Sequence, residues 1–238
     1  MLFGHTRPML PVVQLIGPED LSEGASASLW VSMENVHNGM IIISVGDLAG
    51  AAAAITLDQA TDNAGTGSKT LGYDFLYQSG QKLLFTGRSA ANFVVGETIT
   101  GGTSSHVGTC KVVSSDALWV VITTAGSGTG TTWTNGETIT GGTSGATAAV
   151  SGTGTNEDIL LQMAVTSDTF NIDTLTFKNY VIMIDHTMLD ADNDFDHFQL
   201  DIADAGSSET QASAIFVPLS MRTQAYPQIS LIGAQKLA

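Results

Sequence analysis

Four carboxylates alternate through Asp190-Ala-Asp192-Asn-Asp194-Phe-Asp196, directly before His197. Spaced carboxylates are how loops hold calcium, a hard ion that takes about six to eight oxygen ligands. The helix-loop-helix calcium pattern places Gly at its sixth position and Glu at its twelfth. Counted from Asp190, those places hold Phe195 and Asp201. Asp190, Asp192, Asp194 and Asp196 are calcium candidates by charge density alone, and a plain acidic loop accounts for them better. His186 and His197 flank the loop. Two imidazoles and a carboxylate suit a transition metal, but strands on either side of the loop would hold these two histidines apart.

Other reactive residue types lack the company their chemistry needs. Thr103-Ser-Ser-His106 puts hydroxyls beside an imidazole. A nucleophile and its base must meet in space with a third orienting group, and neighbours on a strand point to opposite faces. Gly126-Ser-Gly-Thr-Gly130 has no Lys and no helix to follow it, so it lacks the parts of a phosphate cradle. Cys110 is the one cysteine; it excludes an internal disulfide and a cysteine metal cluster, and reads as a half-buried thiol at a strand start. A glycosidase needs an acid and a base across a sugar cleft, and Asp is too plentiful here for that pattern to inform. Trp119 and Trp133 could stack on sugars, but in a β-module they read as core residues. The expectation is a protein without catalytic residues, cofactor or resident metal.

Composition says what such a chain builds instead. Of 238 residues, 43 % are hydrophobic and 13 % charged, against about 25 % charged in ordinary soluble domains. Gly is frequent at 26 copies, and Thr is abundant, a mixture that favours strands and turns. The net charge is −15, from 8 basic and 23 acidic residues, with no Lys or Arg between Lys111 and Lys178. Nucleic-acid binding needs cationic patches that neutralise phosphate, and anionic membrane surfaces attract the same patches. Neither partner is expected. There is no apolar run long enough for a membrane-spanning helix, nor a basic segment followed by an apolar stretch as in a secretory signal.

The apolar pattern predicts an all-β chain. Residues 1–26 hold Pro8, Pro11 and Pro18 with little periodicity and read as an N-terminal arm, with one helical turn near Glu19-Asp20-Leu21. Ala27–Met33 alternates, with Leu29, Val31 and Met33 on one face. Met40–Val45 is a continuous apolar run that suits a central strand. Ala53–Ala60, Leu71–Leu76, Ile159–Val165, Val181–Asp185, Phe198–Ile202 and Ala214–Leu219 complete the strand candidates. Such spacing with Gly, Asp, Asn and Ser turns predicts a jelly-roll-like β-sandwich, formed by two flanking segments, 27–86 and 157–224. Residues 225–238 read as a C-terminal arm.

Between the flanks lies an internal repeat. Phe93-Val-Val-Gly-Glu-Thr-Ile-Thr-Gly-Gly-Thr-Ser-Ser105 recurs as Trp133-Thr-Asn-Gly-Glu-Thr-Ile-Thr-Gly-Gly-Thr-Ser-Gly145, with Gly96–Ser104 and Gly136–Ser144 identical. Each copy reads as an aromatic, a Gly-Glu turn, a Thr-Ile-Thr strand, a Gly-Gly turn and a second strand. Isolated hairpins are marginal in water. The two copies, within an inserted small β-hairpin repeat module at 87–156, are therefore expected to share one core with pseudo-twofold symmetry.

The repeat resembles a short β-module of tailed-bacteriophage virion structural proteins. The flanks resemble small phage head proteins at Met33–Val36, Met40–Val45, Gly46–Asp62 and Leu189–Asp204. This likeness to the head decoration (cement) proteins spans residues 27–220. It implies a capsid-exterior protein made in the host cytoplasm, with the major capsid protein and copies of itself as partners. A trimer would suit a threefold lattice point. The same composition also admits an alternative, a tail or fibre adhesin module that binds host surface glycans through Trp119 or Trp133.

Overall fold

The computed structural model describes residues 12–48, 53–73, 75–124, 126, 133–164, 168–172, 178–206 and 210–221. The chain is all-β. Strands run Val13–Asp20 (β1), Ser26–Ala27 (β2), Val31–Ser32 (β3), Val36–Leu48 (β4), Ala54–Ala60 (β5), Lys69–Thr70 (β6) and Phe75–Thr86 (β7). The repeats contribute Thr98–Gly101 (β8), Val107–Val113 (β9), Ala117–Thr124 (β10), Thr138–Gly141 (β11) and Thr147–Val150 (β12). The second flank adds Thr155–Ala164 (β13), Thr169–Asn171 (β14), Lys178–Asp185 (β15), His197–Ile202 (β16) and Thr210–Met221 (β17). Among the described residues the helical segments are three short 3-10 turns, and none is long or apolar enough to cross a membrane.

Two antiparallel sheets share the first core. The larger runs β1-β17-β4-β15-β7 and continues into the repeats; the smaller is β14-β5-β16-β2, with β3 on β16 and β6 on β5. The alternation in β16 places Phe198, Leu200 and Ile202 fully inside. Each such side chain contributes about 1.5–3 kcal/mol by leaving water. Ile55 and Leu57 do the same from β5, Ile41 and Ile43 from β4. The Phe198 and Phe216 rings meet edge to face at 5.1 Å, joining the two sheets through the core.

The N-terminal segment departs from the expected arm. Val13–Asp20 pairs antiparallel with β17, and Leu15, Ile16 and Leu21 are buried in the sandwich core. These three apolar residues drive the segment inward despite Pro18. The helical turn falls at Leu21–Glu23, with Asp20 accepting from the Ser22 N–H at its start. Residues 1–11 and the expected C-terminal arm at 225–238 lie outside the described residues.

The expected Ala27–Met33 strand is broken into β2 and β3. Ser28 turns inward, its hydroxyl accepting from the Leu200 N–H at 3.0 Å. That contact flips Leu29 into solvent while Val31 and Met33 remain buried. Leu71–Tyr73 lies before the strand that begins at Phe75.

The repeats form more than paired hairpins. β7 pairs with β10, which continues through β9, β8, β11 and β12, and β12 returns to β7 through Ala149 opposite Thr86 and Val150 opposite Phe85. The ring of pairings closes, leaving these six strands no free edge within the ring. A second core fills it: Leu83, Phe85, Phe93, Ile99, Cys110, Leu118, Val120, Ile122, Trp133, Ile139, Ala146, Ala148 and Val150. The ring therefore begins within β7, before the module boundary expected at residue 87. Leu83 and Phe85 belong to the ring's core, while Leu76 on the same strand belongs to the sandwich.

Candidate functional site

The acidic loop does not gather its four carboxylates around one point. Asp190 forms an ion pair with Lys69 and accepts from the Asn193 side chain at 2.9 Å. The Lys69 and Asn193 hydrogen bonds hold its carboxyl below the usual range. Asp192 and Asp194 are exposed, Asp194 in a left-handed conformation at φ 63. Asp196 pairs instead with the His197 Nδ1, at 2.5 Å. Lys69 also lies over the Phe195 ring, 4.1 Å from its centroid. Lys69 thus balances one of the four charges that suggested calcium, and Asp196 turns to His197 instead of towards Asp190.

His186 meets a different histidine from the one the sequence suggested. β15 pairs with β4 with Asp185 opposite Asn38, and the same register, carried one residue further, sets His186 against His37. Their Nδ1 atoms are 3.1 Å apart, and the rings are tilted with centroids at 5.0 Å. Asp185 Oδ1 lies 3.3 Å from His186 Nδ1, and Oδ2 lies 4.0 Å from His37 Nε2. One ligand atom from each of the three residues can be chosen so that all lie within 4.8 Å of one another. The carboxylate is held in place: Thr187 donates to its Oδ1 through its N–H at 2.8 Å and its hydroxyl at 2.9 Å. Burial would raise the Asp185 carboxyl, but the Thr187 donors and the nearby histidines outweigh it and lower the pKa. His37 escaped the sequence reading because only strand pairing brings it to His186, across 149 positions.

The repeats bury two carboxylates, Glu97 and Glu137. Glu97 accepts from the Val94 N–H of its own copy at 2.7 Å. It then crosses to the second copy, accepting from the Thr143 N–H at 3.1 Å, the Ser144 N–H at 2.9 Å and the Ser144 hydroxyl at 2.9 Å. Glu137 reciprocates, accepting from the Thr134 N–H at 2.7 Å and from the Thr103 and Ser104 N–H groups at 2.9 Å each. Both glutamates are buried. Burial alone would raise their carboxyls; the backbone donors, led by Ser144 for Glu97 and Ser104 for Glu137, outweigh it and hold both below the usual range.

The identical stretch follows from this exchange. β8 and β11 pair antiparallel with Thr100 opposite Thr140. The Gly102 N–H donates to the Thr138 carbonyl at 2.9 Å, and the Gly142 N–H to Thr98 at 2.8 Å. A Cβ on Gly101 would stand 2.7 Å from Glu137 Oε2, and one on Gly141 2.6 Å from Glu97 Oε2. Larger residues there would evict the carboxylate.

Ser104 and His106 are committed to this framework. The Ser104 hydroxyl bonds Glu137 and accepts from the His106 N–H at 3.3 Å. His106 is fully buried where the second copy has Ala146. Its Nδ1 accepts from the Gly126 N–H at 2.9 Å, which places the ring proton on Nε2, and its ring lies against Trp133 with centroids at 5.7 Å. Cys110 is wholly buried rather than half-buried, and burial, aided by the Glu97 charge, pushes its thiol up to about 11. Trp133 is fully buried and cannot offer a sugar platform; Trp119 is half-buried with the Lys82 ammonium 5.4 Å from its ring centroid.

One like-charge contact was not apparent from the sequence. Asp201 on β16 is raised by burial, by the charge of Asp58 on β5, and by a hydrogen bond between the two carboxyls.

No protein-family model, curated protein or solved structure matches this chain.

Proposed function

We propose that this protein is a structural component of a tailed-phage virion that decorates the capsid exterior and stabilises it by binding the major capsid protein lattice. The observation that carries this reading is where the head-protein-like segments meet. Met33–Val36 leads into β4, Gly46–Asp62 contains β5, and Leu189–Asp204 contains β16. β5 and β16 pair with Leu57 opposite Leu200 and Ile55 opposite Ile202, and they share a core with β4. The motifs that carry the resemblance are thus the framework of one sandwich, not scattered matches.

The disposition of charge supports a structural role. Glu97, Glu137, Ser104 and His106 all serve the closed ring. Outside the cores the ring exposes Val94 and Val95, and the sandwich exposes Leu29 and Leu219. Apolar residues of this kind suit a lattice, where many weak contacts act together. β1 lies at the end of the larger sheet's strand order, and such an edge can accept a strand from a neighbouring subunit. A homo-oligomer, with a trimer at a threefold point, fits this use.

The test is co-sedimentation of the purified protein with undecorated capsids. Saturable binding and a higher capsid melting temperature are expected; failure of both overturns the reading. The glycan-adhesin alternative would be favoured if glycan arrays gave specific hits that were lost in Trp119→Ala.

A further inference from the structure

We propose that His37, His186 and Asp185 form a binding site for one divalent first-row transition ion of the zinc type. Bonds from zinc to imidazole nitrogen or carboxylate oxygen are about 2.0–2.2 Å, so neighbouring ligand atoms around one tetrahedral ion stand about 3.3–3.6 Å apart. The two Nδ1 atoms are already 3.1 Å apart, and the His186 Nδ1 is 3.3 Å from Asp185 Oδ1. The three residues therefore come close to the spacing of an ion's coordination shell before any ion arrives.

Their support is equally specific. The histidines are held opposite one another by the β4–β15 register, and Thr187 fixes the carboxylate through two hydrogen bonds. Such outer partners set ligand orientation and affinity. The side chains of His37, Asp185 and His186 are 48 %, 33 % and 21 % exposed, so an ion can enter from solution and complete its shell with water. Two imidazoles select zinc, cobalt, nickel or copper over calcium or magnesium. The overall charge of −15 raises the local concentration of any cation. A bound ion would tie the start of β4 to the end of β15 and to the His186–Met188 turn. This inference is independent of the capsid reading.

The experiment is titration calorimetry of the full chain with zinc chloride alone, alongside melting curves with zinc or calcium. One zinc per chain is expected, with a melting temperature raised by zinc and not by calcium. His37→Ala and His186→Gln should each weaken zinc binding about tenfold or more while melting near the wild type without metal. His197→Ala, at the acidic loop, should leave binding unchanged. Absence of zinc binding at millimolar metal overturns the proposal. So does zinc binding that survives both His37→Ala and His186→Gln, which would assign the ion to another site.

Discussion

Glu97 and Glu137 exchange turns: each carboxylate keeps one N–H of its own repeat and accepts two more from the Gly-Gly-Thr-Ser turn of the other. Neither repeat can complete its own turn. The pairing of β8 with β11 sets the two copies head to head, and β7 closes the ring around them. A duplicated sequence has thereby become one interdependent structure.

Removing either carboxylate charge should cost on the order of 3 kcal/mol. Charge-assisted hydrogen bonds are the strong ones, and a buried donor left without its acceptor costs free energy in its own right. Glu97→Gln places an NH2 group among N–H donors, and Glu137→Gln does the same on the other side. Urea unfolding should show similar losses for both. A variant as stable as the wild type would contradict the exchange.

Acid should loosen the ring through the same pair. Both carboxyls lie below their ordinary value when folded, so the unfolded state binds protons first. Their stabilisation is complete above the unfolded glutamate pKa, about 4.3, and is lost as pH falls through the lower folded value. Melting temperatures measured at decreasing pH should fall for the wild type. The two Gln variants start lower and should show a flatter dependence across that window.

Cys110 should be inert in the native protein. Its side chain is fully buried, and the thiol is pushed up to about 11, while reactivity belongs to the exposed thiolate. A thiol reagent at neutral pH should label it slowly in the native state and promptly in urea. Rapid native labelling would mean that the ring opens readily.

Trp133 and Phe93 occupy corresponding places in the two copies, and both are buried in the ring core. Trp133→Phe should therefore be the milder change, at about 1–2 kcal/mol, and Trp133→Ala should cost about 3–5 kcal/mol through the cavity it leaves. Chemical denaturation separates the two.

Strand alternation was legible wherever one face alone is buried. Phe198, Leu200 and Ile202, and likewise Ile55 and Leu57, point inward as their period of two requires. The repeat was legible because Gly101 and Gly141 must admit a carboxylate, which restrains the surrounding sequence. Ring closure was not, since β7 carries residues of both cores and nothing local marks the change after Leu76. Ser28 and Leu29 exchanged faces because a hydroxyl bonds a distant backbone N–H, a contact that alternation does not encode. His37 was overlooked for a related reason: its partners come from strand register, whereas the conspicuous Asp190–Asp196 run is divided between Lys69, Asn193 and His197.

The most direct test of a capsid-decorating role is a cryo-electron reconstruction of a phage particle that carries this protein. The expected density lies on the outer face of the capsid lattice, fits the sandwich and its closed six-strand ring, repeats at symmetry-related sites and touches the major capsid protein. Density confined to the tail or its fibres, or a shell without it, would contradict that role.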